Sequence, residues 1–288
     1  MSAKYEFGRK TLARDGFSIA QGVFSRGDID TIRQIIAKAQ RRAIAQQLYD
    51  VDPQYPNLTM LRGDILNINE MAEIDYAVFD KRVTDCAKEL IGPHLVYHGD
   101  STVQIGEGPR GFHKDNADRT DRAGLDWSGE YGVLRLAIYT QDHSEFSGGL
   151  KVRLASHKYF SHHRGHSLNL STSEGDVVFW YLTTSHSGNF VRVRGAPGLC
   201  IHPRVERMIP ANLRVPEQLQ RMAIFCTLGR PGPHLDHYIS YQSKRADVRA
   251  HWRNCGESNA IETLAATRGI EIRKPVEDYG ASNSLKSQ

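Results

Sequence analysis

Hydrophobic positions change their period twice along the chain. Over 25–43, Ile29, Ile32, Ile35, Ile36, Ala39 and Ala43 recur every three or four residues, and Ser25 and Asp28 supply capping groups at the start. That spacing predicts an amphipathic helix. Val78, Phe79, Val83, Cys86 and Leu90 repeat it over 75–90, and Gly92 and Pro93 then stop it. Residues from about 1 to 93 therefore predict a helical part. Beyond 94 the apolar residues come in short runs rich in β-branched and aromatic side chains, at 94–98, 102–106, 132–141, 149–154, 167–170, 176–182, 190–194 and 222–228. Gly, Asp, Ser and Pro separate them. Many short strands at such intervals predict an antiparallel sandwich or barrel, and eight suit a jelly roll over about 94–230. Helical patterns return at 245–252 and 258–267, a tail over about 240–270. No internal repeat or linker divides the chain, so 1–288 is expected to form a single domain.

Composition narrows the function classes. With 288 residues, 40% hydrophobic and 24% charged, the chain has globular composition rather than that of a disordered or fibrous protein. The net charge of +4 falls short of the concentrated basicity of a dedicated nucleic-acid binder. No window approaches the roughly 18 apolar residues of a membrane span, and the first ten residues have no apolar leader core. Cys86, Cys200, Cys226 and Cys255 lie far apart with no CxxC pair, which argues against a disulfide framework. A cytoplasmic protein with no membrane or nucleic-acid partner is the expectation.

Thirteen histidines invite a search for a metal site. In His113-Lys114-Asp115 an imidazole and a carboxylate stand at i and i+2, which project to the same side of an extended chain. A third ligand from a distant strand would complete the two-histidine, one-carboxylate face that suits non-haem Fe(II) and leaves positions open for substrates and O2. His186, after the apolar run 176–182, is the choice. A second such triplet, His234-Leu235-Asp236, sits in a Pro- and Gly-rich stretch with only His237 and His251 downstream. His162, His163 and His166 form a loop cluster without a carboxylate or cysteine beside them, which suits a polar loop better than a ligand set.

The surroundings of His113, Asp115 and His186 resemble the phytanoyl-CoA dioxygenase family of Fe(II)/2-oxoglutarate oxygenases. The resemblance runs from about residue 12 to 252 and rests on fragments in the family's order. These are Asp15-Gly16-Phe17, Gly111-Phe112-His113-Lys114-Asp115, Tyr139-Thr140-Gln141-Asp142, Gly148-Gly149-Leu150-Lys151-Val152 and Ser156-His157. Gly175-Asp176-Val177-Val178-Phe179, Ser185-His186-Ser187-Gly188-Asn189 and Arg221-Met222-Ala223-Ile224-Phe225 follow. The resemblance implies a mainly β fold, a double-stranded β-helix (jelly roll, cupin-like) with N-terminal and C-terminal helices packed on it. It implies His113, Asp115 and His186 as iron ligands and Arg221 as the grip on the distal carboxylate of 2-oxoglutarate. A guanidinium suits that work because its planar fork holds a carboxylate bidentately and stays charged. Gln104 and Ser187 are further candidates for contacts to 2-oxoglutarate. The implied activity is hydroxylation of an unactivated C–H bond of a small, polar or anionic metabolite, consuming O2 and releasing succinate and CO2. Retention of Asp115 favours hydroxylation over halogenation. The alternatives are a nucleic-acid demethylase with the same iron chemistry and a non-catalytic jelly-roll binding module.

Two departures from the family pattern bear on the site. Leu154-Ala155-Ser156-His157 lacks the family's turn proline, and His186 and Arg221 stand 35 residues apart, which requires an insertion at about 195–220. Arg192 is the reserve choice for the cofactor arginine. Between 189 and 221 six arginines face two glutamates, a charge equal to that of the whole chain, so the insertion reads either as a lid drawn to an anionic substrate or as a solvated loop. The loop 116–130 has the opposite balance, two arginines against four carboxylates. Asn116, Arg119 and Trp127 from that loop, with Arg192 and Arg204 from the other basic stretch, are the candidate substrate contacts.

Overall fold

The computed structural model describes residues 6–46, 57–65, 75–108, 111–254 and 259–273. In chain order its elements are α1 (Arg9–Asp15), β1 (Phe17–Ala20), α2 (Arg26–Gln46), β2 (Thr59–Gly63), α3 (Asp75–Val78), α4 (Lys81–Ile91), β3 (Leu95–Ile105), β4 (Val133–Tyr139), β5 (Lys151–Arg153) and β6 (Ser167–Asn169). β7 (Val177–Tyr181), β8 (His186–Ser187), α5 (Pro203–Glu206), β9 (Met222–Gly229), α6 (Pro233–Lys244), α7 (Ala246–Asn254), α8 (Asn259–Arg268) and β10 (Ile270–Ile272) complete it.

A major sheet runs β1-β7-β4-β9-β3-β10, with β2 also on β3, and a minor sheet runs β6-β5-β8. Facing sheets, antiparallel except for the parallel β10–β3 pair, with flanking helices make the expected jelly roll. One face of the major sheet packs on the helices through Leu136, Ile138, Phe179 and Ile224, together with Ile29, Ile32 and Ile36 of α2. The opposite face meets the minor sheet, where Ala137, Tyr139, Val178, Trp180 and Ala223 close on Leu150 and Val152. The alternation along β4 therefore serves two cores.

Local chemistry explains where the elements begin and end. Ser25 N–H donates to Asp28 Oδ2 at 2.9 Å and Asp28 N–H to Ser25 Oγ at 3.2 Å, a reciprocal cap that starts α2 where the sequence places it. The helix expected over 75–90 is interrupted instead. Asp80 caps a new start by accepting from Arg82 N–H at 2.8 Å, so α3 ends and α4 begins. The runs 94–98 and 102–106 form one strand, because Gly99 (φ 78°) lies where the β3–β9 register shifts, so the chain bulges rather than turns. The run 190–194 is no strand; Val193 makes only isolated bridges to Ala196 and Arg214. The N-terminal part also contributes β1 and β2 to the major sheet and so is not purely helical. At Gly16 (φ 88°) a Cβ would lie 2.5 Å from His157 Nδ1 and 2.8 Å from Thr184 Oγ1, so only glycine lets α1 turn into β1 against that loop.

The insertion is pinned down. Glu206 of α5 and Lys151 of β5 are fully buried and meet at 2.6 Å, and Glu206 Oε1 also accepts from Val191 N–H at 3.0 Å. Cys86, Cys200 and Cys226 are free thiols, while Cys255 and Ser258 lie outside the described residues. Among the described residues no helix is long and apolar enough to cross a membrane.

Candidate metal centre and its cavity

His113 and His186 exchange backbone hydrogen bonds, each N–H donating to the other's carbonyl at 3.0 Å. Asp115 N–H donates to Leu182 O at 3.0 Å, so the triplet is stitched to the chain at both ends of the segment leading into β8. Between its two ligand-type neighbours, Lys114 projects the other way, and its buried ammonium donates to the carbonyls of Ser156 and Thr183. This alternation brings the His113 and Asp115 side chains to one side. His186 Nε2 lies 3.4 Å from Asp115 Oδ2, His113 Nε2 lies 3.6 Å from Asp115 Oδ1, and donor atoms of the three lie within 4.8 Å of one another.

The imidazole tautomers follow from their partners. His113 Nδ1 is 2.9 Å from Gly111 O and His186 Nδ1 is 3.0 Å from Thr184 O. A carbonyl only accepts, so both Nδ1 atoms carry the proton and both Nε2 lone pairs face the convergence point. Burial, with His113 beside it, pushes His186 down to about 4, which keeps it neutral. For Asp115 burial acts upward, but His186, Arg135 and His113 together outweigh it and hold the carboxyl well below the usual carboxylate range. Two Nε2 lone pairs and one carboxylate suit a divalent transition ion with open positions.

Arg221 directly precedes β9 and is 1% exposed. Its Nε donates to Gly148 O at 3.0 Å, whereas Nη1 has no hydrogen-bond partner. Aromatic rings join the two places. Trp180 lies 5.3 Å from the His186 ring and 6.3 Å from Phe225, and Phe225 lies 6.2 Å from Tyr139. The Arg221 guanidinium is 5.7 Å from the Tyr139 ring and 5.9 Å from that of Phe225. Trp180 Nε1 is buried without a partner as well, and the Tyr139 hydroxyl faces the Arg221 guanidinium. Unpaired buried donors are costly. A dicarboxylate with one end at the triad and the other at Arg221 would satisfy them.

A cavity of about 580 Å³ opens on His113 and Asp115. Arg119, Arg135, Tyr238, Arg245 and Trp252 are among its walls. Asp100 Oδ2 accepts from Arg135 Nη2 at 2.9 Å, Thr227 Oγ1 at 2.7 Å and Tyr238 Oη at 2.9 Å. Arg135 Nε lies 3.6 Å from Asp115 Oδ2, so this arginine spans the two carboxylates. Sequence reasoning missed Asp100, Arg135 and the walls from α6 and α7. A signal was present: Arg135 is the one charged residue in the apolar run Val133–Tyr139.

The remaining candidates are dispersed. Arg119 lines the cavity, stacked 5.1 Å from the Tyr241 ring. Asn116 is buried and donates to Asp126 Oδ2 at 2.8 Å. Trp127 is not among the cavity's lining residues; its Nε1 donates to Asp121 O at 2.7 Å. Arg192 is buried and donates to the carbonyls of Phe146, Pro197 and His143, and Arg204 is exposed on α5. Gln104 pairs in register with Ala223 on the inward face, and Ser187 Oγ accepts from Gly111 N–H at 3.1 Å. The rival triplet splits, with His234 on Ser128 O and Asp236 on Arg273. Of the loop histidines only His162 reaches the cavity.

No protein-family profile matches the chain, and no curated protein matches its sequence. Solved structures share its fold. HygX from Streptomyces hygroscopicus, with nickel, 2-oxoglutarate and hygromycin B bound, is 15% identical over 77% of this chain and 86% of its own, with a TM-score of 0.51. EctD from S. alaskensis, with 2-oxoglutarate and 5-hydroxyectoine, is 16% identical over 76% and 73%, with a TM-score of 0.51. AviO1 from Streptomyces viridochromogenes Tue57 is 15% identical over 81% and 100%, with a TM-score of 0.53. At such identities the likeness establishes the fold, a jelly roll shared with proteins that hold a metal and 2-oxoglutarate.

Proposed function

We propose that this protein is an Fe(II)- and 2-oxoglutarate-dependent dioxygenase, a single domain of the phytanoyl-CoA dioxygenase type, that hydroxylates an unactivated C–H bond of a small polar or anionic metabolite. The observation that carries the reading is the pairing of two features joined by a chain of packed aromatic rings. His113, Asp115 and His186 face a common point, and buried Arg221 keeps an unpaired Nη1 at the other end. Solved structures of the same fold with 2-oxoglutarate and nickel bound support it.

His113 Nε2, His186 Nε2 and one Asp115 oxygen would hold Fe(II), and Arg221 would take the distal carboxylate of 2-oxoglutarate. When bound, iron and 2-oxoglutarate supply the oxidising chemistry, consuming O2 and releasing succinate and CO2. The protein's own residues orient and shield. Gly111 O and Thr184 O fix the ring tautomers, Arg135 would steady Asp115 at Oδ2, the oxygen that also faces His186, and the packed rings of Trp180 and Phe225 would shield the space between the triad and Arg221. The substrate would enter the cavity beside His113, where Arg119 offers donors to a polar or anionic group.

Anaerobic addition of Fe(II) and 2-oxoglutarate is expected to give a weak visible charge-transfer band, and admission of air to give succinate. His186→Ala abolishes the band; Arg221→Ala leaves iron bound and weakens 2-oxoglutarate. Neither band nor succinate from the intact protein would leave the non-catalytic binding module as the better reading.

A further inference from the structure

A second convergence of ligand-type side chains lies under the loop that follows the triplet. Asp118 and Asp126 on this loop and His237 on α6 bring donor atoms within 4.8 Å of one another. His237 Nε2 is 2.8 Å from Asp118 Oδ1. Asp126 Oδ2 accepts from Asp118 N–H at 2.9 Å and Asn116 Nδ2 at 2.8 Å, and Asp118 Oδ2 accepts from Asp126 N–H at 3.0 Å.

Those bonds account for one oxygen of Asp126. The other, Oδ1, is buried without a partner, and so are Asn116 Oδ1 and, on the neighbouring Tyr131, Oη. Asp126 is 4% exposed and Asn116 fully buried, and the Asn116 amide lies against the Asp126 carboxylate. Buried carboxylate and amide oxygens without donors are expensive, and two buried carboxylates side by side repel. A cation satisfies the oxygens and cancels the repulsion at once.

We infer that Asp118, Asp126 and His237, with the side-chain oxygen of Asn116, form a second, structural site for a divalent transition-metal ion. One imidazole nitrogen among oxygens favours zinc(II), cobalt(II) or manganese(II) over calcium, which prefers oxygen alone. The ion ties two walls of the cavity together. Asn116 follows Asp115 directly and Arg119 follows Asp118, while α6 carries Tyr238 next to His237.

The test is cobalt(II) binding to metal-stripped protein, read by equilibrium dialysis and visible d–d absorption, without turnover. The doubly substituted protein His113→Ala/His186→Ala, whose first site is disabled, is expected to bind one equivalent. Adding His237→Gln weakens that binding by roughly tenfold or more, since removal of a ligand exceeds the loss typical of a residue that only orients one. Cobalt also raises the melting temperature of the double variant, and His237→Gln removes the rise. His237 is half-buried, so its change to Gln spares the core; should the double variant not fold, His237→Gln alone is expected to lower the intact protein from two equivalents to one. No cobalt in the double variant, or cobalt unaffected by His237→Gln and so held by other histidines, overturns the site. Because the double variant lacks the first centre, failure here is separate from failure of the dioxygenase reading.

Discussion

The loop 116–130 and the insertion 195–220 look alike as charged, turn-rich stretches flanking the segments of the candidate metal ligands, yet the fold gives them opposite work. Arg119 stands in the cavity wall with its guanidinium on Tyr241, contributing one hydrogen bond, to Asn116 O at 3.3 Å. The insertion contributes no residue to the lining of that cavity and meets its wall where His202 packs on Phe112, 5.9 Å between rings. Arg214 within the insertion is occupied by the carbonyls of Ile209 and Arg207, Arg194 just before it by Arg214 O, and its helix α5 is fastened through the buried Lys151–Glu206 pair. A stretch fastened in this way is a wall of the molecule rather than a lid. Net charge along a sequence says little about recognition; where each guanidinium spends its donors says more.

The largest effect expected from this contrast comes from breaking the fastening. Glu206→Ala leaves the Lys151 ammonium buried and unpaired, at a cost of about 3–5 kcal/mol, measured as a lower urea midpoint. Iron binding in the variant that remains folded should be unchanged, and a loss of iron would show the insertion and the triad to be one unit. Next is Arg221→Ala, which removes a charge-assisted contact of about 1.5–3 kcal/mol and so weakens 2-oxoglutarate roughly ten- to hundredfold in anaerobic titration. Arg192→Ala is the matching control. It destabilises the fold, because three carbonyls lose their donor, while 2-oxoglutarate affinity in folded protein stays as it was. An unchanged affinity in Arg221→Ala with a weakened one in Arg192→Ala would reverse the assignment.

A smaller effect concerns pH. Burial depresses His98 to about 4 and His143 to about 3, in both cases chiefly through desolvation. The unfolded chain holds these protons up to about 6.5 and the folded chain releases them much earlier, so stability is full above 6.5 and falls as the pH drops toward 4. Urea midpoints between pH 7 and 4.5 measure it, and His98→Phe should flatten the slope if the ring is accepted in place.

The parts readable beforehand were those whose signal is local. The Ser25–Asp28 cap, the period of α2 and the alternation through β4, β7 and β9 follow from neighbours a few residues apart. The helix break at Asp80 is equally local, but apolar spacing continues across it and masks it. β1 and β2 escaped because four or five residues carry too little period to separate strand from loop. Arg135 was visible as a lone charge in an apolar strand, but its meaning depends on Asp100 and Asp115, which come from elsewhere in the chain.

By itself the sequence determined the jelly-roll pattern, the helices on its outer face and the identity of His113, Asp115 and His186 as ligand-type residues, since short-range period and residue chemistry suffice for those. The tertiary structure alone decided that Arg221 keeps a buried donor without a partner while Arg192 spends its own on carbonyls, which loop walls the cavity, and that α6 brings His237 against Asp118. Those questions turn on burial and on hydrogen-bond partners far apart in sequence, and a guanidinium has the same chemistry in every position until the fold assigns its acceptors.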